Sequence, residues 1–196
     1  MSKEPSAATI LPHAHSEQYR KYLIEVIYRG ASWYTVWGTD LTDEDTDYLL
    51  TDIQGKLLLF SNRADVFHTI LNADHFPDIK MLHAWARESH RIENPYTVIN
   101  LDVLSMRDIQ ATQIDLLEAV YITIGIVGDY AVPVNNQALT DLLWSDIVRL
   151  HYDIFADYFL WSPSKAFEFV TLSDGFSDAV NEMYRILETC IRMDHL

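Results

Sequence analysis

The stretch DYLLTDIQGKLLLFSNRADVFHTIL, residues 47–71, carries the clearest structural pattern of the chain. Two apolar segments, 47–53 and 56–61, lie on either side of Gln54-Gly55, and glycine at the second loop position supplies the positive φ that a tight hairpin requires. Asn62 can then cap a helix, because its short side chain accepts hydrogen bonds from free amide groups. The apolar residues of that helix fall on one face: Val66, Phe67, Ile70 and Leu71. The stretch therefore predicts two paired strands followed by an amphipathic helix.

The segments around this stretch predict more strands and one more helix. Residues 22–29 and 32–39 alternate, are rich in aromatic and β-branched side chains, and flank Gly30-Ala31, as expected for a hairpin. A helix is expected over 78–90 and a further strand over 96–102. The first half of the chain is therefore predicted to be a small sheet with helices.

The second half predicts helices almost throughout. Ser105 can cap a helix that extends to about residue 130, although the β-branched residues at 120–127 favour a strand near its end. Residues 135–159 carry two neighbouring apolar stripes, which indicate one long helix near the centre of the fold.

The last element is expected to be a helix that is capped by Ser173 or Asp174 and runs to about Met193. Strands in the first half followed by helices in the second half are typical of an α+β protein. We therefore expect a small antiparallel sheet in the N-terminal half, packed with a largely helical C-terminal half.

The length and composition allow one well-packed core. A chain of 196 residues with 49% apolar residues can bury a sizeable core. We expect a flexible segment at 1–18 and a single α+β domain over 19–196. Within that domain, a sheet-rich lobe is expected over 19–102 and a helical lobe over 103–196.

The charge balance is strongly acidic, with 14 Lys+Arg against 29 Asp+Glu and a net charge of −15. Nucleic acid is not an expected partner, because phosphate binding needs clusters of cations, whereas a basic protein would be attracted. The single cysteine, Cys190, excludes an intramolecular disulfide and is expected to be a buried, inert thiol. We find no apolar stretch of secretory-signal length near the N-terminus, and the apolar run at 116–127 is too short to cross a bilayer. We therefore expect a cytoplasmic protein without a membrane partner.

Five carboxylates lie within eight positions, and we call this segment the acidic loop: Asp40, Asp43, Glu44, Asp45 and Asp47. Its spacing partly resembles a calcium-binding EF-hand, but Tyr48 stands where that loop needs glycine and Gln54 where it needs glutamate. A calcium site is therefore not expected. A solvated connection between strands, a catalytic site and a partner surface remain as alternatives.

A second set of acids follows one narrow stripe of the helix predicted over 135–159, and we call it the helical acids: Asp146, Asp153 and Asp157. The stripe is either the solvent-exposed side of a mostly buried helix or part of a surface that faces a basic partner. Trp33 and Trp37 share one face of the predicted hairpin, while Tyr34 and Val36 point to the other face. Because both faces are apolar, the strand is either covered on both sides or presents an aromatic patch for binding.

Catalytic and metal-binding motifs are missing from the sequence. The histidines do not form the pairs that bind zinc from one helix, and there is no nucleophile elbow, phosphate-binding loop or dinucleotide-binding turn. We therefore expect no cofactor and no metal.

The unit at 47–71, with its strand, glycine turn, strand ending in Phe-Ser-Asn and amphipathic helix, resembles the opening of small acidic immunity proteins. These come from bacterial polymorphic toxin and contact-dependent inhibition systems. The resemblance implies a short sheet with several helices, and a function in which the protein neutralises one cognate toxin by docking an acidic face on it. It implies no catalytic residues.

Three function classes follow from these observations, and the last of them is a structural subunit whose charge serves solubility only. The first is a non-enzymatic inhibitor or immunity protein that binds a basic protein such as a toxin through the acidic loop, the helical acids, Trp33 and Trp37. The alternative is a small-molecule or metal-dependent enzyme that uses aspartates and histidines at the junction of sheet and helices.

Overall fold

A six-stranded sheet with helices on both faces forms the described part of this computed structural model, residues 14–92, 94–107, 109–110, 112–161, 172 and 175–194. The strands are β1 Lys21–Tyr28, β2 Ala31–Asp40, β3 Thr46–Leu49, β4 Leu57–Phe60, β5 Val98–Asn100 and β6 Ile191–Asp194. The α-helices are α1 Ala14–Tyr19, α2 Arg63–Asn72, α3 Ile79–Ser89, α4 Ile114–Ala131, α5 Gln137–Leu143, α6 Asp146–Ala156 and α7 Phe176–Cys190. A 3-10 turn, Leu101–Ser105, follows β5, and a π-helical turn, Asp157–Trp161, follows α6. The predicted α+β class is confirmed.

The sheet is mixed rather than antiparallel, which corrects the prediction. Its strand order is β5-β1-β2-β4-β6. The short strand β3 pairs with the same edge of β2 as β4 does, at a different part of that edge. The β1–β2 hairpin is antiparallel along its whole length, but β5 runs parallel to β1 and β6 runs parallel to β4. Both parallel pairs join strands that are connected through helices, as parallel pairing requires. As a result, β2 is the one strand among the six that runs against the others.

The predicted strand pair at 47–53 and 56–61 is present only in part. Both strands pair with β2, through Trp37↔Leu49 for β3 and Tyr34↔Phe60 for β4. The two segments are joined to each other by the isolated bridge Thr51↔Leu57 and by two backbone hydrogen bonds of 2.9 Å, from the amide of Asp52 to the carbonyl of Lys56 and from the amide of Leu58 to the carbonyl of Leu50. The chain therefore leaves the sheet after β3, turns, and returns to continue along β2 as β4. The predicted glycine turn is confirmed, since Gly55 has a φ of +75°.

The helix that follows this turn agrees with the sequence. Asn62 caps α2, and its side chain accepts a hydrogen bond from the amide of Asp65. Val66, Phe67 and Ile70 are buried in α2, whereas Leu71, predicted on the same face, is exposed.

The predicted start of the first helix in the second half is wrong. Ser105 ends the 3-10 turn instead of capping a helix, and α4 begins only at Ile114. The β-branched run at 120–127 is nevertheless helical throughout, because Val120, Ile124 and Val127 are buried in the core and packing there outweighs their strand preference.

The long helix predicted over 135–159 is two helices. A break at Trp144-Ser145 separates α5 from α6, and the Ser145 side chain caps α6 by accepting from the amide of Val148 at 3.5 Å. The predicted apolar stripes are consequently only partly buried: Trp144 and Leu150 are exposed. The last helix ends at Cys190 rather than near Met193, and β6 follows it directly. Its predicted caps, Ser173 and Asp174, lie outside the described residues.

Each face of the sheet has its own core. On one face Ile24, Val26 and Leu59 pack against α4 to α7, and on the other face Leu23, Val36 and Phe60 pack against α1 to α3. A sheet that is covered on both faces explains why its strands are apolar on both sides. The most apolar helix, α4, lies against the sheet, where the Tyr130 hydroxyl donates to the carbonyl of Gly55 at 2.8 Å. Within the described part of the chain, none of the helices combines the length and the apolar character that a bilayer crossing needs.

Candidate interaction surface

The acidic loop connects β2 to β3 and is held in shape by short-range hydrogen bonds. The Asp40 side chain accepts from the amide and the hydroxyl of Thr42 at 2.8 and 2.7 Å. Glu44 and Asp45 both have left-handed backbone conformations, with φ of 49° and 57°. This turn leaves Asp43, Glu44 and Asp45 exposed. The structure therefore presents three adjacent carboxylates to solvent in an ordered connection.

One cation from another part of the chain approaches the acidic loop. Arg20 lies 3.2 Å from a carboxylate oxygen of Asp45, and both side chains are substantially exposed. The neighbouring Lys21 is fully buried and pairs with Asp78 at 3.2 Å, and the charge of Asp40 also acts on it. An exposed ion pair contributes little to stability, so a stronger ligand can replace it.

Asp47, at the end of the acidic loop, lies close to a carboxylate that the sequence analysis missed. Asp129, on α4, accepts a hydrogen bond from the indole Nε1 of Trp37 at 2.9 Å. Burial, together with the negative charge of Asp47, raises the pKa of Asp129 to about 6, and the Trp37 hydrogen bond acts in the opposite direction. The one signal in the sequence is that Asp129 ends the apolar run of α4.

The helical acids are connected to the same region. Burial raises the pKa of Tyr152 on α6 to about 12, and the neighbouring Tyr121 is the second largest cause of this rise. The carboxylates of Asp129 and Asp153 contribute in the same direction. Asp129 therefore lies within electrostatic range of both the acidic loop and α6.

All three helical acids are exposed. Asp146 begins α6, Asp157 begins the π-helical turn, and Asp153 lies between them. The Nε atom of Arg149 is 4.0 Å from Asp153, a long contact between two exposed side chains. We use the name acidic surface for the acidic loop, the helical acids and Asp129.

The two tryptophans that the sequence suggested for partner binding, Trp33 and Trp37, are buried and half-buried in the fold. Trp33 is only 8% exposed and donates its indole N–H to the carbonyl of Tyr28 at 3.2 Å. Trp37 is half-buried, stacks on Tyr22 with ring centres 5.2 Å apart, and donates to Asp129. Both side chains thus pack between the sheet and its helices.

The exposed tryptophans are Trp144 and Trp161, at 64% and 77%. The sequence analysis placed Trp144 on an apolar helix stripe, but the break between α5 and α6 turns its side chain to solvent. An exposed aromatic side chain of this size is typical of binding surfaces.

A groove of about 320 Å³ lies between α4 and the α5–α6 segment, and we call it the α4–α6 groove. Its lining includes Gly125, Gly128, Val132, Trp144, Tyr152 and Asp153. Arg149 also lines it, with its guanidinium 5.9 Å from the centre of the Trp144 ring. The surface is largely apolar with a few charged groups, which is the usual composition of a binding pocket.

Two of the histidines, His83 and His151, make contacts that hold elements of the fold together. The ring Nε2 of His83 donates to the carbonyls of Ile70 and Ala73 at 2.8 and 3.0 Å, which caps the end of α2. His151 is buried and stacks on Phe176 with ring centres 4.4 Å apart. Across the described ranges, no three His, Cys, Asp or Glu side chains are grouped so that they could hold one metal ion. Cys190 is buried.

Comparison with known proteins identifies a related fold. No family model matches the chain. No curated protein matches it either. The crystal structure of the SatS C-terminal domain in complex with bromine is similar in fold, with a TM-score of 0.60 over 91% of this chain and 96% of that chain. The two sequences are 12% identical, so the similarity concerns the fold alone.

Proposed function

We propose that this chain is a non-enzymatic binding protein that neutralises a basic protein partner, as the immunity proteins it resembles neutralise a toxin. The observation that carries the proposal is the proximity of Asp129 to both Asp47 and the Tyr152–Asp153 region of α6. Three acids from distant parts of the sequence, Asp47, Asp129 and Asp153, thereby lie in one region of the fold. A surface of this kind supports recognition of lysine and arginine side chains on a partner.

The exposure of these carboxylates suits fast and reversible capture. Asp43, Glu44, Asp146 and Asp157 are exposed, so they attract a basic protein from solution before contact is made. Opposite charges of this kind raise association rates by roughly 10- to 1,000-fold, and salt weakens the effect. An inhibitor benefits from such a rate because it competes with the substrate of its target.

The proposal is tested by capture of the partner with a variant of the acidic loop. We expect wild type to retain a specific basic protein from native lysate at low salt, and Asp43→Asn/Glu44→Gln/Asp45→Asn to lose it. The control variant, Asp74→Asn/Asp178→Asn/Glu182→Gln, removes the same charge from exposed positions outside the acidic surface. Equal capture by the two variants would refute a role for the acidic loop.

The captured protein then allows a direct test of neutralisation. Co-expression of wild type should protect cells from the toxicity of the captured protein, and the acidic-loop variant should protect them less. A captured protein that is harmless when expressed alone would leave a binding function but contradict the inhibitor function.

A second candidate, an enzyme that acts on a small molecule, is favoured by the carboxyl group of Asp129. Its pKa of about 6 lies in the range that suits a general acid or base, and it lies where β3 meets α4. Asp129 and Asp47 are not among the residues that line the α4–α6 groove, and for this reason we prefer the binding function. Turnover of any compound in a metabolite screen that Asp129→Asn abolishes would reverse this preference.

A further inference from the structure

We propose that the α4–α6 groove docks a basic amphipathic segment of the partner protein, with an apolar side chain in the groove and lysine or arginine side chains on its rim. This inference rests on the proposed function, because it specifies the chemistry of the partner and adds an anchoring site to the acidic surface. Neither the acidic loop nor the resemblance to immunity proteins points to this groove.

The floor of the groove is open because two glycines of α4 carry no side chain. A Cβ atom at Gly128 would meet no other atom within 4 Å. A Cβ atom at Gly125 would lie 3.2 Å from the hydroxyl of Tyr152, so α6 approaches α4 closely there. The space is thus closed at the Gly125 end by the tyrosine and free above Gly128.

The walls supply exposed apolar surface. Trp144 is 64% exposed and Val132 is 51% exposed, and both line the groove together with Gly128. Burying an aromatic side chain of this size on binding is a common source of affinity in protein interfaces. The groove therefore favours an apolar side chain of the partner rather than a polar one.

The charge around the groove favours a partner segment whose remaining side chains are basic. Residues 124–153, the range that contains the groove lining, include four carboxylates: Asp129, Asp141, Asp146 and Asp153. Arg149 is the single Lys or Arg in the same range. A basic segment is complementary to this excess of negative charge, whereas an acidic one is repelled. A second copy of this chain, which also carries −15, is disfavoured for the same reason.

The test uses a synthetic peptide in place of the unidentified partner. A capped peptide of roughly four helical turns, with leucine on one face and lysine elsewhere, is titrated into ¹⁵N-labelled protein at about 150 mM salt to screen non-specific attraction. We expect the largest shifts at the amides of Gly125 and Gly128 and at the indole N–H of Trp144. A peptide with glutamate in place of every lysine should bind at least about tenfold more weakly.

Gly128→Leu is the decisive variant, because it fills the groove without removing a contact or a charge. Leucine is also the better helix former by about 0.8 kcal/mol, so the variant should remain folded. We expect it to weaken peptide binding by at least about tenfold, and Trp144→Ser to weaken it by a similar factor. Ile53→Ser removes an apolar side chain that is 80% exposed and not in the groove lining, so it should leave binding unchanged.

Three outcomes would overturn the inference: equal affinity of wild type and Gly128→Leu for the basic peptide, equal affinity of wild type for the two peptides, or shifts confined to the acidic loop. Partner capture separates this failure from failure of the proposed function. If the acidic-loop variant loses the partner while Gly128→Leu retains it at full affinity, the proposed function stands and the groove inference is wrong. If Gly128→Leu loses the partner while the acidic-loop variant retains it, the groove inference stands and the proposed role of the acidic loop is wrong.

Discussion

Trp37 on β2 and Asp129 on α4 are joined by a hydrogen bond of 2.9 Å between the indole Nε1 and Oδ2 of the carboxylate. The bond connects the sheet to its most apolar helix at a place where Asp47 brings a second negative charge close to Asp129. Ionisation of Asp129 in this position lowers the stability of the folded state, because the carboxylate is largely removed from water and is repelled by Asp47.

The first prediction is that Asp129→Asn stabilises the protein near neutral pH. The pKa of Asp129 is about 6 in the folded protein, against 3.8 as the reference value. The folded state therefore binds more protons than the unfolded state between these values, and stability falls as pH rises from about 4 to about 6. The amide oxygen of asparagine still accepts from Trp37, so we expect a gain of about 1 kcal/mol at about pH 7.5.

Urea unfolding at about pH 4.5 and pH 7.5 measures this effect, since the gain should shrink when Asp129 is protonated in wild type. Asp141→Asn, at an exposed position of α5, is the control and should change stability by less than about 0.5 kcal/mol. An equal loss of stability for Asp129→Asn at both pH values would show that its carboxylate is required for folding.

The second prediction concerns the buried ion pair between Lys21 and Asp78. The ammonium group of Lys21 also donates to the carbonyls of Tyr19 and Thr39, and both charged side chains are almost completely buried. Burial lowers the pKa of Lys21, and the bond to Asp78 opposes this shift. Lys21→Met leaves Asp78 without its cation, so we expect a loss of about 3–5 kcal/mol.

A second variant distinguishes an uncompensated charge from lost packing. In Lys21→Met/Asp78→Asn the buried charge is gone, and asparagine tolerates the left-handed conformation that Asp78 adopts with a φ of 45°. We expect the double variant to be about 2 kcal/mol more stable than Lys21→Met alone in chemical denaturation. A double variant that is less stable than Lys21→Met would contradict this explanation.

The third prediction is that His83 stabilises the end of α2. Its ring bonds to two carbonyl groups, those of Ile70 and Ala73, which lie at the C-terminal end of α2. His83→Ala should cost about 1–2 kcal/mol, because both carbonyls lose the imidazole donor, while the Ile70 carbonyl retains the amide of Ala73. His68→Ala changes an exposed histidine of α2 itself and should cost less than about 0.5 kcal/mol. Thermal unfolding of the two variants compares them directly, and equal losses would exclude the capping role.

Local patterns in the sequence predicted the elements well where the deciding interaction is local. The cap at Asn62, the glycine turn at Gly55, and the shared face of Trp33 and Trp37 are all confirmed. Each of these depends on residues a few positions apart, so period and turn chemistry are sufficient.

The errors arise where distant parts of the chain decide. Strand periodicity contains no information about strand direction. The parallel pairing of β5 with β1 and of β6 with β4 could therefore not be predicted from it. Residues 191–194 form β6 because β4 offers a free edge, although their sequence continues the pattern of α7. The break at Ser145 was missed because serine is tolerated inside helices, even though it is also a preferred cap.

The candidate surface was predicted less completely than the fold. The acidic loop and the helical acids were found from charge alone, and both contain exposed carboxylates. Asp129 and the groove above Gly128 were missed because a single acid and a single glycine in an apolar helix carry no pattern. Their significance depends on what α6 and β3 place beside them.

The fourth prediction is that alanine substitution lowers the stability of the protein at Gly38 and raises it at Gly128. A Cβ atom at Gly38, on β2, would lie 2.6 Å from Cδ of the buried Lys21 and 3.3 Å from the carbonyl oxygen of Arg20. Because Lys21 is held by its ion pair, Gly38→Ala should cost about 1–3 kcal/mol through overpacking. Gly128→Ala meets no atom within 4 Å and should instead stabilise α4 by up to about 1 kcal/mol. Denaturant titrations of both variants check the two signs, and a loss of stability for Gly128→Ala would mean that the space above Gly128 is filled in solution, which would also argue against an open groove.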